Sequence, residues 1–142
     1  MNPFLLMSFL YLALAGLVAL DASLTSLNLL EWFNGLRWLR VHLITLGAFS
    51  EAIFGMLPLL LAIQTKQPRP ATRWDIWLSL NAGLLILLIG IPLINQPLIL
   101  TGGALIFVAA LLLIWQLLGL QPQRPQLNSS SLKFYIVGLA YL

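Results

Sequence analysis

The chain has 142 residues, of which 61% are apolar and only 8% are charged. A soluble domain carries about a quarter charged residues, so this chain could not cover a water-facing surface, and a lipid bilayer is its natural solvent. There is no cysteine, which excludes disulfides, thiolate metal sites and cysteine nucleophiles. The formal net charge of +3, from seven Lys/Arg against four Asp/Glu, is read as a membrane-orientation signal and not as a nucleic-acid footprint.

The N-terminal stretch MNPFLLMSFLYLALAGLVAL has no Lys or Arg before its apolar run and no small-residue cleavage site at the usual distance, so it reads as a retained first span over about 4–26. Residues 27–40, LNLLEWFNGLRWLR, alternate Trp32, Phe33 and Trp38 with Glu31, Arg37 and Arg40. That mixture suits the water–lipid boundary, where indole rings prefer to sit, and a short interfacial turn or helix is expected there. A second span covers 41–63. The following QTKQPRPATRWD holds Pro68, Pro70 and three cations and is a loop. The third span is expected over 75–94, with Pro92 in its last turn as a kink or a stop. Asn95-Gln96-Pro97 is a tight link, and the fourth span covers 98–119. QPQRPQLNSSS forms a second polar loop.

The last apolar run, LKFYIVGLAYL, offers nine residues from Phe134 to Leu142. At 1.5 Å per residue these reach about half of the ~30 Å hydrocarbon core, so the run either begins a further span or is a short terminal segment lying on the surface. The expectation is an all-α polytopic bundle with four full spans and a fifth begun at 132–142. Residues 1–142 would form one transmembrane domain, the N-terminal part of a longer chain. Alternating the loops between two sides gives one side Lys66, Arg69, Arg73, Arg124 and Lys133, and the other only Arg37 and Arg40. The positive-inside rule then puts the N-terminus and the 64–74 loop in the cytoplasm and His42 near the outer face.

Two polar residues stand out in the second span: His42, the only histidine, and Glu51. At 100° per residue Leu46, Phe49, Ile53 and Met56 share the face of His42, whereas Glu51 lies about 180° away and about 13–14 Å deeper. The two are separate questions. Glu51 shares a stripe with Gly47, Gly55 and Pro58, and glycines at i−4 and i+4 let a neighbouring helix approach closely. A carboxylate facing lipid is costly, so Glu51 is expected to face protein or a water-filled cavity. It is either a proton relay or cation-coupling site, or a protonated group hydrogen-bonded to a neighbour such as Asn81 or Ser79. His42 is either a wet interfacial residue beside Arg40 or a metal or haem ligand through a neutral ring nitrogen. Asn81 and Thr101-Gly102-Gly103 read as helix-packing features, and Trp74, Trp77 and Trp115 as interface belts or lipid contacts. No phosphate loop, serine–histidine–acid set or catalytic carboxylate pair can be assembled.

The stretch HLITLGAFSEAIFGMLPLL, residues 42–60, resembles the second helix of the haem–copper oxidase superfamily. The likeness is greatest to its divergent relatives, the NnrS-like membrane proteins and the nitric oxide reductase catalytic subunits. In that superfamily the helix-two histidine is an axial ligand of the low-spin haem near the outer face. The resemblance therefore implies haem as cofactor, His42 as one iron ligand, and electron transfer towards oxygen or nitric oxide. It covers about 20 residues and the helical layout. The superfamily's other ligands lie on later helices and this chain has no second histidine, so a second axial ligand must come from missing C-terminal helices or another membrane subunit. Glu51 has no counterpart in that pattern. The leading expectation is a haem-binding redox component of the membrane. The alternatives are a small proton-coupled transporter using Glu51, and a non-catalytic membrane subunit or assembly factor. Small four-helix antiporters carry their coupling glutamate in the first helix, and here it is in the second. Expected partners are the lipid bilayer and further membrane helices, with no nucleic acid.

Overall fold

The computed structural model describes residues 2–23, 36–120 and 137–138. All regular structure among them is helical. The expected fifth span, apart from Val137 and Gly138, lies outside the described residues. So do Arg124, Lys133 and the interfacial residues Glu31, Trp32 and Phe33.

Helix α1 runs Pro3–Ser23. Proline suits a first helical position because it lacks only an N–H that would be unpaired anyway. Asn2 closes the end, accepting the Phe4 N–H at 3.1 Å. One face of α1 is buried through Phe4, Ser8, Tyr11 and Ala15, a helical stripe. The others carry Phe9 and Leu17, 71% and 61% exposed. Large apolar side chains on the outward faces as well as the inward one are not how a water-soluble helix is built, and fit lipid as solvent.

The second rod is continuous but not uniform. Helix α2, Leu36–His42, passes into a π-helical segment, Leu43–Phe49, and then into α3, Ser50–Gln64. The i→i+5 turns of a π-segment are wide and leave poorer backbone bonding. Here the Ser8 hydroxyl of α1 donates to the Ala48 carbonyl at 2.7 Å, satisfying one oxygen of the wide turn. A π-turn advances less than 100° per residue, so the even helical reckoning between His42 and Glu51 does not hold across 43–49. The expected stripe survives all the same: Gly47, Glu51, Gly55 and Pro58 are all buried, while Phe49 and Met56 on the other side are exposed. The rod also begins before the expected residue 41. His42 therefore closes α2 and does not open a helix. Arg37, Trp38 and Arg40, read as boundary residues in a short turn or helix, are helical, and that helix is continuous with the span.

Helices α4, Trp74–Gly90, and α5, Gln96–Gly119, form a close hairpin. A Cβ on Gly83 would meet the Gly102 carbonyl oxygen at 2.8 Å, and one on Gly102 would meet that of Gly83 at 2.9 Å. Only glycine permits this approach. Gly103, by contrast, has nothing within 4 Å and packs against no neighbour. Helix α4 ends earlier than 94. Pro92 lies in the Ile91–Ile94 turn beyond it, where Asn95 N–H bonds back to the Gly90 carbonyl at 3.0 Å. The Asn95 side chain then caps α5 by accepting from Leu98 N–H at 3.2 Å, with Pro97 in the first turn.

Helix α1 packs along the second rod, α4 along α5, and α3 joins the two pairs through α5. The core is built from Phe54 and Leu61 of α3, Ile76, Leu80 and Leu84 of α4, and Ala109, Leu113 and Leu117 of α5. Three stretches are long and apolar enough to cross a membrane: Pro3–Leu20, Arg37–Gln64 and Gln96–Gly119. Helix α4 is apolar but has only 17 residues.

Candidate functional site

Glu51 sits near the midpoint of the 28-residue Arg37–Gln64 stretch and is 0% exposed. Its stripe is held against α1 by the two glycines beside it. A Cβ on Gly47 would stand 2.6 Å from Tyr11 Cγ, and one on Gly55 would stand 2.8 Å from Phe4 Cβ. The Asn2 amide, which bonds the Gly55 carbonyl at 3.0 Å, pins the lower end of the same seam.

Around the carboxyl group two neighbouring helices contribute polar side chains. Tyr11 of α1, 2% exposed, donates its hydroxyl to Asn81 Oδ1 of α4 at 3.4 Å. Asn81 in turn donates its amide to the Trp77 carbonyl one turn back, at 3.0 Å. Tyr11 and Asn81 both neighbour Glu51. Yet neither carboxyl oxygen is in hydrogen-bonding geometry with any group. The indole N–H of Trp77 is also buried without a partner. Buried polar groups are nearly always hydrogen-bonded, and an orphan costs about 1–3 kcal/mol. Two orphaned carboxyl oxygens beside a tyrosine hydroxyl and an amide oxygen are therefore a strained, acceptor-rich spot. It could hold a proton, a hydrated proton or a small cation. Asn81 lies against the Glu51 carboxyl group, as expected, but its oxygen accepts from Tyr11 and its amide donates to its own helix, so the contact with Glu51 falls short of good hydrogen-bond geometry. Asn81 is thus more than a packing residue, because it links α1 to α4.

His42 lies elsewhere on the same rod, half-buried. Its ring stacks on Trp38 with centroids 4.1 Å apart and planes at 27°. Its Nδ1 lies 2.8 Å from the Trp38 carbonyl oxygen, so the tautomer that donates there presents Nε2 as the free base. That is how a ligating histidine is commonly oriented, by a backbone carbonyl on its other nitrogen. Among the described residues no group of three or more His, Cys, Asp or Glu could hold a metal ion. No contact brings His42 and Glu51 together.

Sequence reasoning passed over Tyr11, and it assigned Trp77 to an interface belt although its indole N–H is buried. The available signal was the Phe4–Ser8–Tyr11–Ala15 spacing, which gathers two hydroxyl groups of α1 on one face. It is faint because the other faces of α1 are equally apolar or more so.

The class defined by fold and site is an α-helical membrane bundle with a buried intramembrane carboxyl group. Compared with protein families, curated proteins and solved structures, the chain matches none of them.

Proposed function

We propose that this chain is a four-span membrane protein that handles a proton or small cation at Glu51. The observation that carries the reading is the Glu51 carboxyl group, fully enclosed at mid-span with both oxygens unpartnered, beside Tyr11 and Asn81. A packing role alone gives no reason to keep an ionisable group there, since an apolar residue of similar size would be more stable. Intramembrane carboxyl groups serve proton relays and coupled transport. On this reading α4 is the fourth span: at 1.5 Å per residue its 17 residues cover about 25 Å, and the Ile91–Ile94 turn supplies the rest.

The test is proton flux into liposomes carrying the purified protein, driven by a potassium diffusion potential and read by an enclosed pH dye. Wild-type protein should acidify the lumen above the rate of empty liposomes. Glu51→Gln should abolish the excess while still inserting and folding, and Asn81→Leu should reduce it. Equal flux in wild type and Glu51→Gln sinks the reading.

The proposed orientation places the N-terminus and the 64–74 loop in the cytoplasm, on the cation count of five against two. The chain has no cysteine, so Thr72→Cys provides a single exposed thiol. An impermeant maleimide should label it in inside-out vesicles and not in intact cells. Labelling from outside reverses the topology.

A second reading, haem ligation by His42, is favoured by the Nδ1 contact to the Trp38 carbonyl, which holds the ring and presents Nε2. A haem bound there would supply one-electron transfer through its iron, with its second ligand from another membrane subunit or further helices. If the protein as assembled in its native membrane shows a low-spin haem spectrum, His42→Ala should convert or abolish it while insertion is unaffected. An unchanged spectrum removes His42 as a ligand.

A further inference from the structure

The ends of α1 and α3 on the side of the 64–73 loop are not level. Asn2, at the very start of α1, bonds to Gly55, which lies well before the end of α3 at Gln64. The second rod therefore runs about 13 Å past the start of α1, nine residues at 1.5 Å each. The chain after α3 folds back into the resulting notch. It leaves a cleft of about 360 Å³, its open mouth included, between Asn2 and Gly55 on one side and Arg69, Thr72, Arg73 and Gln116 on the other. Its enclosed part is only about 30 Å³, room for a couple of waters, so a bound group would sit in the open mouth.

The cleft's electrostatics are one-sided. Arg73 is neutralised by Asp75: its Nε donates to Oδ1 at 2.9 Å, and a second guanidinium nitrogen donates to Oδ2. Among the described residues Arg69 has no carboxylate partner. The start of α1, a 21-residue helix, faces the same cleft with its partial positive charge. The Thr72 hydroxyl and the Gln116 amide add neutral donors. Trp74, 58% exposed and edge-on to Trp77 at 5.6 Å, marks this level as the membrane boundary.

We propose that this cleft binds a phosphate group, with Arg69 as the ion-pairing residue, Thr72 and Gln116 as donors, and the headgroup of an anionic phospholipid as the source. Basic pockets between membrane helices at the interface suit such headgroups. The Arg73–Asp75 pair occupies the Arg73 guanidinium and, among the described residues, leaves Arg69 as the free charge of the cleft. This site is independent of the proton or cation reading at Glu51.

The test is native mass spectrometry of the protein released from mixed phosphatidylglycerol and phosphatidylcholine nanodiscs. Wild type should retain one phosphatidylglycerol in preference to phosphatidylcholine. Arg69→Gln should weaken that retention about fivefold, the effect of one interfacial cation. Thr72→Val should weaken it less. Lys66→Gln, an exposed cation of the same loop outside the cleft, should leave it unchanged. Displacement of the lipid by millimolar inorganic phosphate, or phosphate bound without lipid, supports the phosphate chemistry and identifies a soluble source. Equal retention of both lipids, or equal loss in Arg69→Gln and Lys66→Gln, overturns the proposal.

Discussion

Leucine in place of Gly47 should disrupt the bundle. The first added atom alone would stand 2.6 Å from Tyr11 Cγ and 2.8 Å from Cδ1. Tyr11 has little room to yield, because it is 2% exposed and its hydroxyl is tied to Asn81. The helices would have to separate, breaking the Ser8 bond to the π-segment as well. Overpacking of this kind costs about 3 kcal/mol. Thermal unfolding in detergent, followed by circular dichroism, should show a large fall in midpoint or no cooperative transition. Gly103→Leu is the control: nothing lies within 4 Å of that position, and its midpoint should hardly move. Equal midpoints for the two variants would mean that α1 does not lie against the Glu51 stripe.

Glu51→Leu should have the opposite effect on stability, raising the unfolding midpoint while proton or cation handling is lost. Leucine is close to glutamate in volume and fills the same enclosed space without two acceptors that lack donors. Relief of an orphaned buried polar group is worth about 1–3 kcal/mol. Glu51→Gln should gain less, since the amide still brings polar atoms into the same surroundings. A residue that costs stability where it sits and is required for activity is typical of functional sites. A lower midpoint for Glu51→Leu than for wild type would show that the carboxyl group is well satisfied in the membrane and belongs to the packing. These two substitutions act on neighbouring residues of one seam, so their effects on stability should not add.

Much of this was legible along the chain. A composition with 8% charged residues specified lipid as solvent, and uninterrupted apolar runs located the helices to within a few residues. The Gly47–Glu51–Gly55–Pro58 stripe identified a buried face, because a carboxyl group and two glycines are costly or pointless against hydrocarbon. What failed were features that depend on more than one helix. Nothing local marks 43–49 as π-helical: the wide turn is supported by Ser8, 40 residues away in sequence. The start of the second rod before His42 was obscured by tryptophans and arginines, which suit an interface whether helical or not.

Sequence by itself determined that this protein is helical, apolar on nearly every face, and carries Glu51 on an inward stripe. Period and composition are local properties, and bilayer energetics convert them directly into helices. Only the tertiary structure decided what meets Glu51. In a span that is apolar all round, the hydrophobic pattern cannot say which face receives which neighbour. Close approach at Gly47 and Gly55 brought Tyr11 to the carboxyl group, and Asn81 was set beside it with its oxygen on Tyr11 and an amide hydrogen on Trp77, leaving neither Glu51 oxygen in good hydrogen-bond geometry.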